Sequence, residues 1–180
     1  MLEKVNNMLI LGIDPGLRNT GFGVVRQISA SAVEYISSGV IKTNSQDDLA
    51  ERIKVLVTGI GQIISEFKPQ LVSIEKVFVN VNPQSTLLLG QARGACIAAC
   101  VTRDLPVYEY SALQVKKSVV GYGHAEKEQL QKMVVYLLKL NRAPQADAAD
   151  ALACALTHIN HARLGGLLQM TTVKAGRVRQ

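Results

Sequence analysis

The sequence predicts one α/β domain built on a mixed sheet of five strands, and three observations support this prediction. Three short apolar runs come first in the chain and have the length and composition of strands. Helical patterns then alternate with two further apolar runs, as in proteins whose sheets contain parallel strands. A length of 180 residues with 48% hydrophobic residues is enough for one sizeable core.

The first three strands are predicted from turn chemistry as well as from apolar content. Residues 8–13 form an aliphatic run that ends at Asp14, and Pro15 and Gly16 make a tight turn after it. A second, glycine-containing run follows at 20–25, so we expect the two runs to pair as a hairpin. Residues 32–42 alternate loosely and predict the third strand.

Helices and strands alternate after this point. Ser45 and Asp48 form a capping signal before a helix that keeps its apolar spacing to about residue 67. A fourth strand, 71–74, ends at Glu75. Asn82 with the proline after it favours the start of a second helix. Residues 106–110 predict the fifth strand.

The last third of the chain is predicted to be mainly helical. Ser111 and Gln114 form a capping pair for a third helix, and a Gly-Tyr-Gly loop separates it from a fourth. Pro144 opens a final Ala-rich helix. Because no acid follows Asp150 and the end of the chain is basic, we predict a domain over 1–163 and a flexible basic tail over 164–180.

Composition narrows the classes of protein to consider. A net charge of +6 and a pI near 9.3 make an acidic partner such as nucleic acid plausible. We expect no signal peptide, no membrane span and a cytoplasmic location. The odd number of cysteines in Ala-rich runs indicates buried free thiols. His158 and His161 are interpreted as ordinary surface residues.

Four acids occupy positions that favour a shared site. Asp14 and Glu75 each end a predicted strand, and strand ends are the usual location of chemistry in α/β sheets. Asp147 and Asp150 lie on one face of the last helix. Structural roles stay open for both pairs, since Asp-Pro-Gly is common turn material and acids complement the dipole at a helix start.

Converging carboxylates repel one another strongly unless a cation lies between them. Mg²⁺ uses a few carboxylates, together with waters and substrate phosphate, as ligands. Two such ions about 3.5–4 Å apart are the standard arrangement for in-line attack on a phosphodiester, where one activates water and the other stabilises the leaving 3′ oxygen. The four acids therefore favour metal-dependent phosphodiester hydrolysis.

The second helix carries a face of small residues that would allow another helix to approach closely. Its members are Gly90, Gly94, Ala95, Ala98 and Ala99. Packing inside the subunit and a homodimer interface are both open; the interface would use Gly90, Gly94, Ala95 and Ala98.

Six segments in consistent order resemble the RuvC family of Holliday junction resolvases, in the ribonuclease H-like superfamily. They are ILGIDPGLRNTGFGVV, SIEKVF, LGQARG, VKKSVVG, AEKEQ and PQADAADALA, between residues 8 and 158. The resemblance implies a sheet with helices on both faces and a crossover junction endodeoxyribonuclease of DNA recombination and repair. It further implies a homodimer that nicks two opposing strands, leaves 5′-phosphate and 3′-hydroxyl ends, and works with the RuvA–RuvB branch-migration complex.

The resemblance also assigns roles to individual residues. The family's catalytic and metal-binding carboxylates fall on Asp14, Glu75, Asp147 and Asp150, with two Mg²⁺ per subunit and Mn²⁺ as a substitute. Its basic residues near the scissile phosphate fall on Lys116 and Lys127, and its base-wedging aromatic on Phe78. The chain departs from the family pattern by about seven extra N-terminal residues and by Lys76 beside Glu75.

Three other functions are compatible with parts of the pattern. Another ribonuclease H-like nuclease could act on RNA or an RNA–DNA hybrid. The first hairpin also has the shape of a phosphate-binding loop in actin-like ATPases, but those folds need a duplicated domain that this chain is too short to contain. A non-catalytic DNA-binding module is disfavoured because four converging acids would repel phosphate.

Overall fold

Five strands form one mixed sheet in the computed structural model, which describes residues 7–29, 31–77 and 82–175, with side chains as far as residue 163. The strands are β1 (Met8–Asp14), β2 (Asn19–Gln27), β3 (Val33–Lys42), β4 (Leu71–Lys76) and β5 (Val107–Ser111). Their order across the sheet is β3-β2-β1-β4-β5. The hairpin strands β1 and β2 are antiparallel, as are β2 and β3, whereas β4 runs parallel to both β1 and β5. The predicted mixed sheet is confirmed.

Five helices in the described ranges cover both faces of the sheet. They are α1 (Leu49–Phe67), α2 (Pro83–Val101), α3 (Ala112–Val120), α4 (Lys127–Leu137) and α5 (Ala146–Ala175). One core lies between the sheet and α1 with α2, and a second core lies between the sheet and the other three helices. None of the helices in the described ranges is long and apolar enough to span a bilayer.

Residues of β1 alternate between the two cores, as the period of a strand requires. Ile10 packs in the core beside α5, while Leu11 and Ile13 pack beside α1 and α2. Gly12 therefore faces α5, and Asp14 follows on the same face.

Helix α5 packs very closely against the hairpin. A Cβ atom added at Gly12 would overlap the carbonyl oxygen of Ala151, and one added at Gly21 would overlap the carbonyl oxygen of Asp147. The helix contributes to the close approach with buried alanines, including Ala148, whose exposed fraction is 1%. The two backbones can come together because the strands have glycines and the helix has alanines at the contact.

The predicted helix starts are well supported by side-chain caps. Asp48 accepts a hydrogen bond from the Glu51 N–H at 2.9 Å, and Asn82 caps α2 in the same way. Ser111 and Gln114 form a reciprocal capping box at α3. Because a cap satisfies backbone N–H groups that have no partner in the helix, these residues fix where each helix begins.

Helix α5 begins at Ala146 and continues to Ala175, across the boundary predicted at 163. The flexible basic tail over 164–180 stays a prediction. One expectation for the C-terminal part differs from the structure. The surface prediction for His158 is wrong: the residue is buried, and its Nδ1 lies 2.9 Å from the Tyr110 hydroxyl.

Candidate active site

Asp14 and Glu75 lie side by side at the same edge of the sheet, near the ends of the adjacent strands β1 and β4. Ile13 of β1 is aligned with Ile74 of the parallel neighbour β4, so the next residue of each strand is an acid at the same edge. Residues alternate in β4 as they do in β1, and Ser73, two residues before Glu75, bonds to α5. Both acids therefore lie on the sheet face that α5 covers, as expected from strand periodicity.

The first turn of α5 brings the other two acids to this edge. The backbone of Asp147 lies against Gly21, which is the cross-strand partner of Asp14. Asp150 follows on the same helix face, and only 13% of its side chain is exposed. The structure thus gathers all four acids that the sequence singled out.

Burial, with repulsion between like charges, raises the pKa of Asp14, Glu75 and Asp150. The pKa of Asp14 is raised to about 8, first because the carboxyl is buried and then because Glu75, Asp150 and Asp147 carry like charges. The pKa of Glu75 is raised to about 7 by burial and by Asp150. Raised values in an acid mean that the ionised form is unfavourable, so the site favours positive charge.

Two lysines supply part of that charge. The Lys127 ammonium lies 3.0 Å from Oδ2 of Asp150, although 60% of the lysine side chain is exposed. The ion pair raises the pKa of Lys127. The same ion pair lowers the pKa of Asp150, but the burial of Asp150 has the larger effect, so the pKa of Asp150 is also raised. Lys116 lowers the pKa of both Glu75 and Asp150, which places its charge near them.

The four acids are neighbours but do not form a closed ligand shell. Within 7–29, 31–77 and 82–163, no three His, Cys, Asp or Glu side chains converge closely enough to enclose a metal ion. The carboxylates are nevertheless close enough to repel one another, and the charges of Glu75, Asp150 and Asp147 add to the effect of burial in raising the pKa of Asp14. Like charges repel, and Lys127 binds one of the four, so a cation would have to draw the carboxylates together.

Two buried hydroxyl groups that the sequence analysis did not single out support the acids. The Ser73 hydroxyl donates to the Cys154 carbonyl at 2.6 Å and joins β4 to α5. The Thr20 hydroxyl donates to the Gly16 carbonyl at 2.6 Å and holds the turn after Asp14. The sequence could have revealed both residues, because each is a polar residue inside an apolar strand and a buried hydroxyl needs a hydrogen-bond partner.

The remaining predicted site residues lie outside this cluster. Lys76 is exposed, and Phe78 lies outside the described residues. On α2, the predicted interface residues Gly90, Gly94 and Ala98 are exposed. Ala95 is a correction: only 9% of it is exposed, and it belongs to the core of its own subunit.

The five-stranded mixed sheet in the order β3-β2-β1-β4-β5, with helices on both faces, is the ribonuclease H-like fold. A family model described as "Crossover junction endodeoxyribonuclease RuvC" matches residues 10–158. The chain belongs to the RuvC family.

Individual relatives agree with this assignment. A protein of Chromobacterium violaceum named "Crossover junction endodeoxyribonuclease RuvC" is 57% identical over 170 residues, which are 94% of this chain and 95% of that protein. The structure of "T. thermophilus RuvC in complex with Holliday junction substrate" superposes with a TM-score of 0.83 at 36% identity, covering 88% of this chain and 96% of that one. The yeast mitochondrial Holliday junction resolvase Ydc2, with a TM-score of 0.67 at 16% identity over 89% and 82% of the two chains, supports the fold alone.

The raised pKa values predict how stability depends on pH without divalent ions. Asp14 has a pKa of about 8 in the folded protein and an ordinary value of 3.8, so the folded state binds its proton more tightly. The stabilisation is complete below about pH 4 and is lost as the pH rises towards about 8. In EDTA, we expect the free energy of unfolding, measured with urea, to fall over this range and the fall to be smaller in Asp14→Asn.

The control is Glu66→Gln, which changes an exposed acid on α1 and should keep the full wild-type decline. An unfolding free energy that rises with pH from about 5 to about 8 in the wild type would contradict the electrostatic description of the site.

Proposed function

We propose that the chain is a Holliday junction resolving endonuclease that cuts two opposing strands of a four-way DNA junction. Each cut hydrolyses a phosphodiester to a 5′-phosphate and a 3′-hydroxyl. The observation that carries the proposal is the group of four acids, flanked by two lysines, at one edge of the sheet. The named activity of the relatives and the junction-bound Thermus thermophilus structure support this substrate.

The acids are suited to hold a hard divalent cation. All four offer carboxylate oxygens, the ligands that Mg²⁺ prefers. Their repulsion is partly relieved by the ammonium group of Lys127, 3.0 Å from Oδ2 of Asp150, which indicates that a positive charge is accommodated there. We infer that Asp14, Glu75, Asp147 and Asp150 bind two Mg²⁺ per subunit, with Mn²⁺ as a substitute. When bound, such ions lower the pKa of an attacking water and stabilise charge on the leaving oxygen.

Side chains of the protein have complementary roles in this proposal. Lys127 and Lys116 lie beside the acids and would attract the scissile phosphate, whose negative charge the carboxylates alone would repel. Burial of Asp14 and Glu75 limits the water that competes for the site. For Phe78 we propose the role of wedge, which would unstack a base step at the crossover.

An exposed stripe on α2 supports a two-fold dimer. Gly90, Gly94 and Ala98 are exposed, and the apolar residues Leu87 and Val101 at either end have exposed fractions of 63% and 50%. A Cβ atom added at either glycine would meet nothing within 4 Å, so the stripe has room for a neighbouring helix. A symmetric dimer presents two identical sites, which suits a junction that needs two matched cuts.

The same proposal places the enzyme in the cytoplasm, where the RuvA–RuvB branch-migration complex would deliver junctions to it. The free, buried state of Cys96, Cys100 and Cys154 is consistent with a reducing compartment.

Replacing one acid by its amide tests the catalytic assignment. Asp14→Asn should lower the rate of Mg²⁺-dependent cutting of a synthetic four-way junction by at least about 100-fold, the upper range for losses at groups that support a metal site. Junction affinity should be nearly unchanged, since affinity comes mainly from basic groups on phosphates. Glu75→Gln, Asp147→Asn and Asp150→Asn should behave alike.

Glu66→Gln is the control and should cut like the wild type. Full activity in an amide variant would remove that acid from the site. If the wild type cut an RNA–DNA hybrid and left junctions intact, the substrate assignment would be wrong.

A bulky residue in the exposed stripe of small residues on α2 tests the proposed dimer interface. Gly94→Leu places a bulky side chain where the second subunit is proposed to pack, and it should give a folded monomer that seldom makes paired cuts. Sedimentation measures the oligomeric state, circular dichroism checks folding, and a cruciform plasmid separates single from paired cuts. Gln62→Leu, at an exposed position of α1, is the control and should remain dimeric.

A Gly94→Leu protein that is dimeric and makes paired cuts at the wild-type rate would place the interface elsewhere. Because nothing lies within 4 Å of the added Cβ inside the subunit, misfolding is not expected.

A further inference from the structure

The loop between α3 and α4 presents one aromatic side chain in a fixed setting. Tyr122, with 47% of its surface exposed, lies between two glycines. Gly121 has a φ of 99°, which favours glycine, and its N–H donates to the Lys117 carbonyl and ends α3. Gly123 leaves space for Leu113, whose Cγ would lie 2.8 Å from an added Cβ. The backbone on each side of the tyrosine is thus constrained.

A hydrogen bond also orients the tyrosine ring. The Tyr122 hydroxyl donates to Oε1 of Gln129 at 2.7 Å. The same oxygen accepts the Glu126 N–H at 2.8 Å as part of the box that caps α4. The ring is therefore attached to the first turn of a helix, although much of it remains open to solvent.

This ring belongs to the part of the fold that reaches the acids. The first turn of α4 also contains Lys127, whose ammonium binds Asp150. The other helix of the pair, α3, carries Lys116, and Asn160 of α5 donates to the Ser118 carbonyl and so ties α3 to the helix of the acids. The ring is therefore fixed to the two helices that carry Lys116 and Lys127.

We propose that Tyr122 stacks on a base of the strand to be cut, next to the scissile phosphate. The inference rests on the proposed function. Cationic neighbours favour a polyanion over an apolar protein partner at this loop. A base face is free for stacking only where the duplex is opened, as at a crossover, so the contact would favour junctions over continuous duplex. Such stacking is tolerant of sequence because every base has a π-face.

Base stacking can be followed directly with a fluorescent base. A four-way junction carrying 2-aminopurine next to the cut site is titrated with protein in the non-cutting Asp14→Asn background, and the quenching gives both stacking and affinity. Tyr122→Ala should weaken binding about 5- to 150-fold, the range for loss of one base–aromatic stack, and should abolish the quenching. Tyr122→Phe, which keeps the ring, should retain most of both.

Tyr136→Ala is the matched control, because Tyr136 is a tyrosine of α4 with 77% of its surface exposed. It should bind and quench like the parent protein. If Tyr122→Ala fails to fold, Tyr122→Leu keeps the bulk without the π-face and replaces it in the comparison. Wild-type affinity and quenching in a folded Tyr122→Ala or Tyr122→Leu protein would overturn the proposal.

The proposed function is tested separately by junction cutting in the otherwise unchanged protein. Failure of the wild type to cut junctions would reject that function, whereas normal cutting with unaltered quenching in the Tyr122 variants would reject only the stacking contact.

Discussion

The close contact between α5 and the β1–β2 hairpin is the constraint on which the site depends. Neither Gly12 nor Gly21 could carry a side chain without overlapping a carbonyl of the helix. Small residues therefore serve a positional purpose here, because they bring the carboxylates of the helix over the ends of the strands. Ser73 adds a buried hydrogen bond across the same junction. Packing at this contact, rather than any attraction between the acids, holds the four acids together.

Such packing has an electrostatic cost. Burial, together with like charges nearby, raises the pKa of Asp14, Glu75 and Asp150, that of Asp14 to about 8. The two hydrophobic cores, one on each face of the sheet, stabilise the fold against this repulsion. Lys127 offsets part of the repulsion through Asp150. A site at which negative charge is unfavourable favours positive charge, and this is consistent with the metal-binding role proposed for the acids.

Much of this arrangement could be predicted from the sequence, and the failures have physical causes. Strand periodicity and capping residues located the sheet, the helix starts and the edge where Asp14 and Glu75 lie. Ala95 was assigned to the wrong face because α2 is rich in small apolar residues all round, and periodicity cannot then tell a core face from an exposed one. The burial of His158 depends on a tyrosine 48 positions away in the chain, which no local pattern reveals.

The most direct test of this account is the effect of Mg²⁺ on thermal stability when the helix contact is disturbed. A ligand that binds only the folded state raises the melting temperature. At about pH 8, where Asp14 is about half ionised, Mg²⁺ should raise the melting temperature of the wild type and of Gln62→Ala, a change at an exposed position of α1, equally. In a folded Gly21→Ala protein, where the added methyl displaces the first turn of α5, this increase should be lost. An increase in Gly21→Ala as large as that of the wild type would contradict the claim that the glycine contact assembles the site.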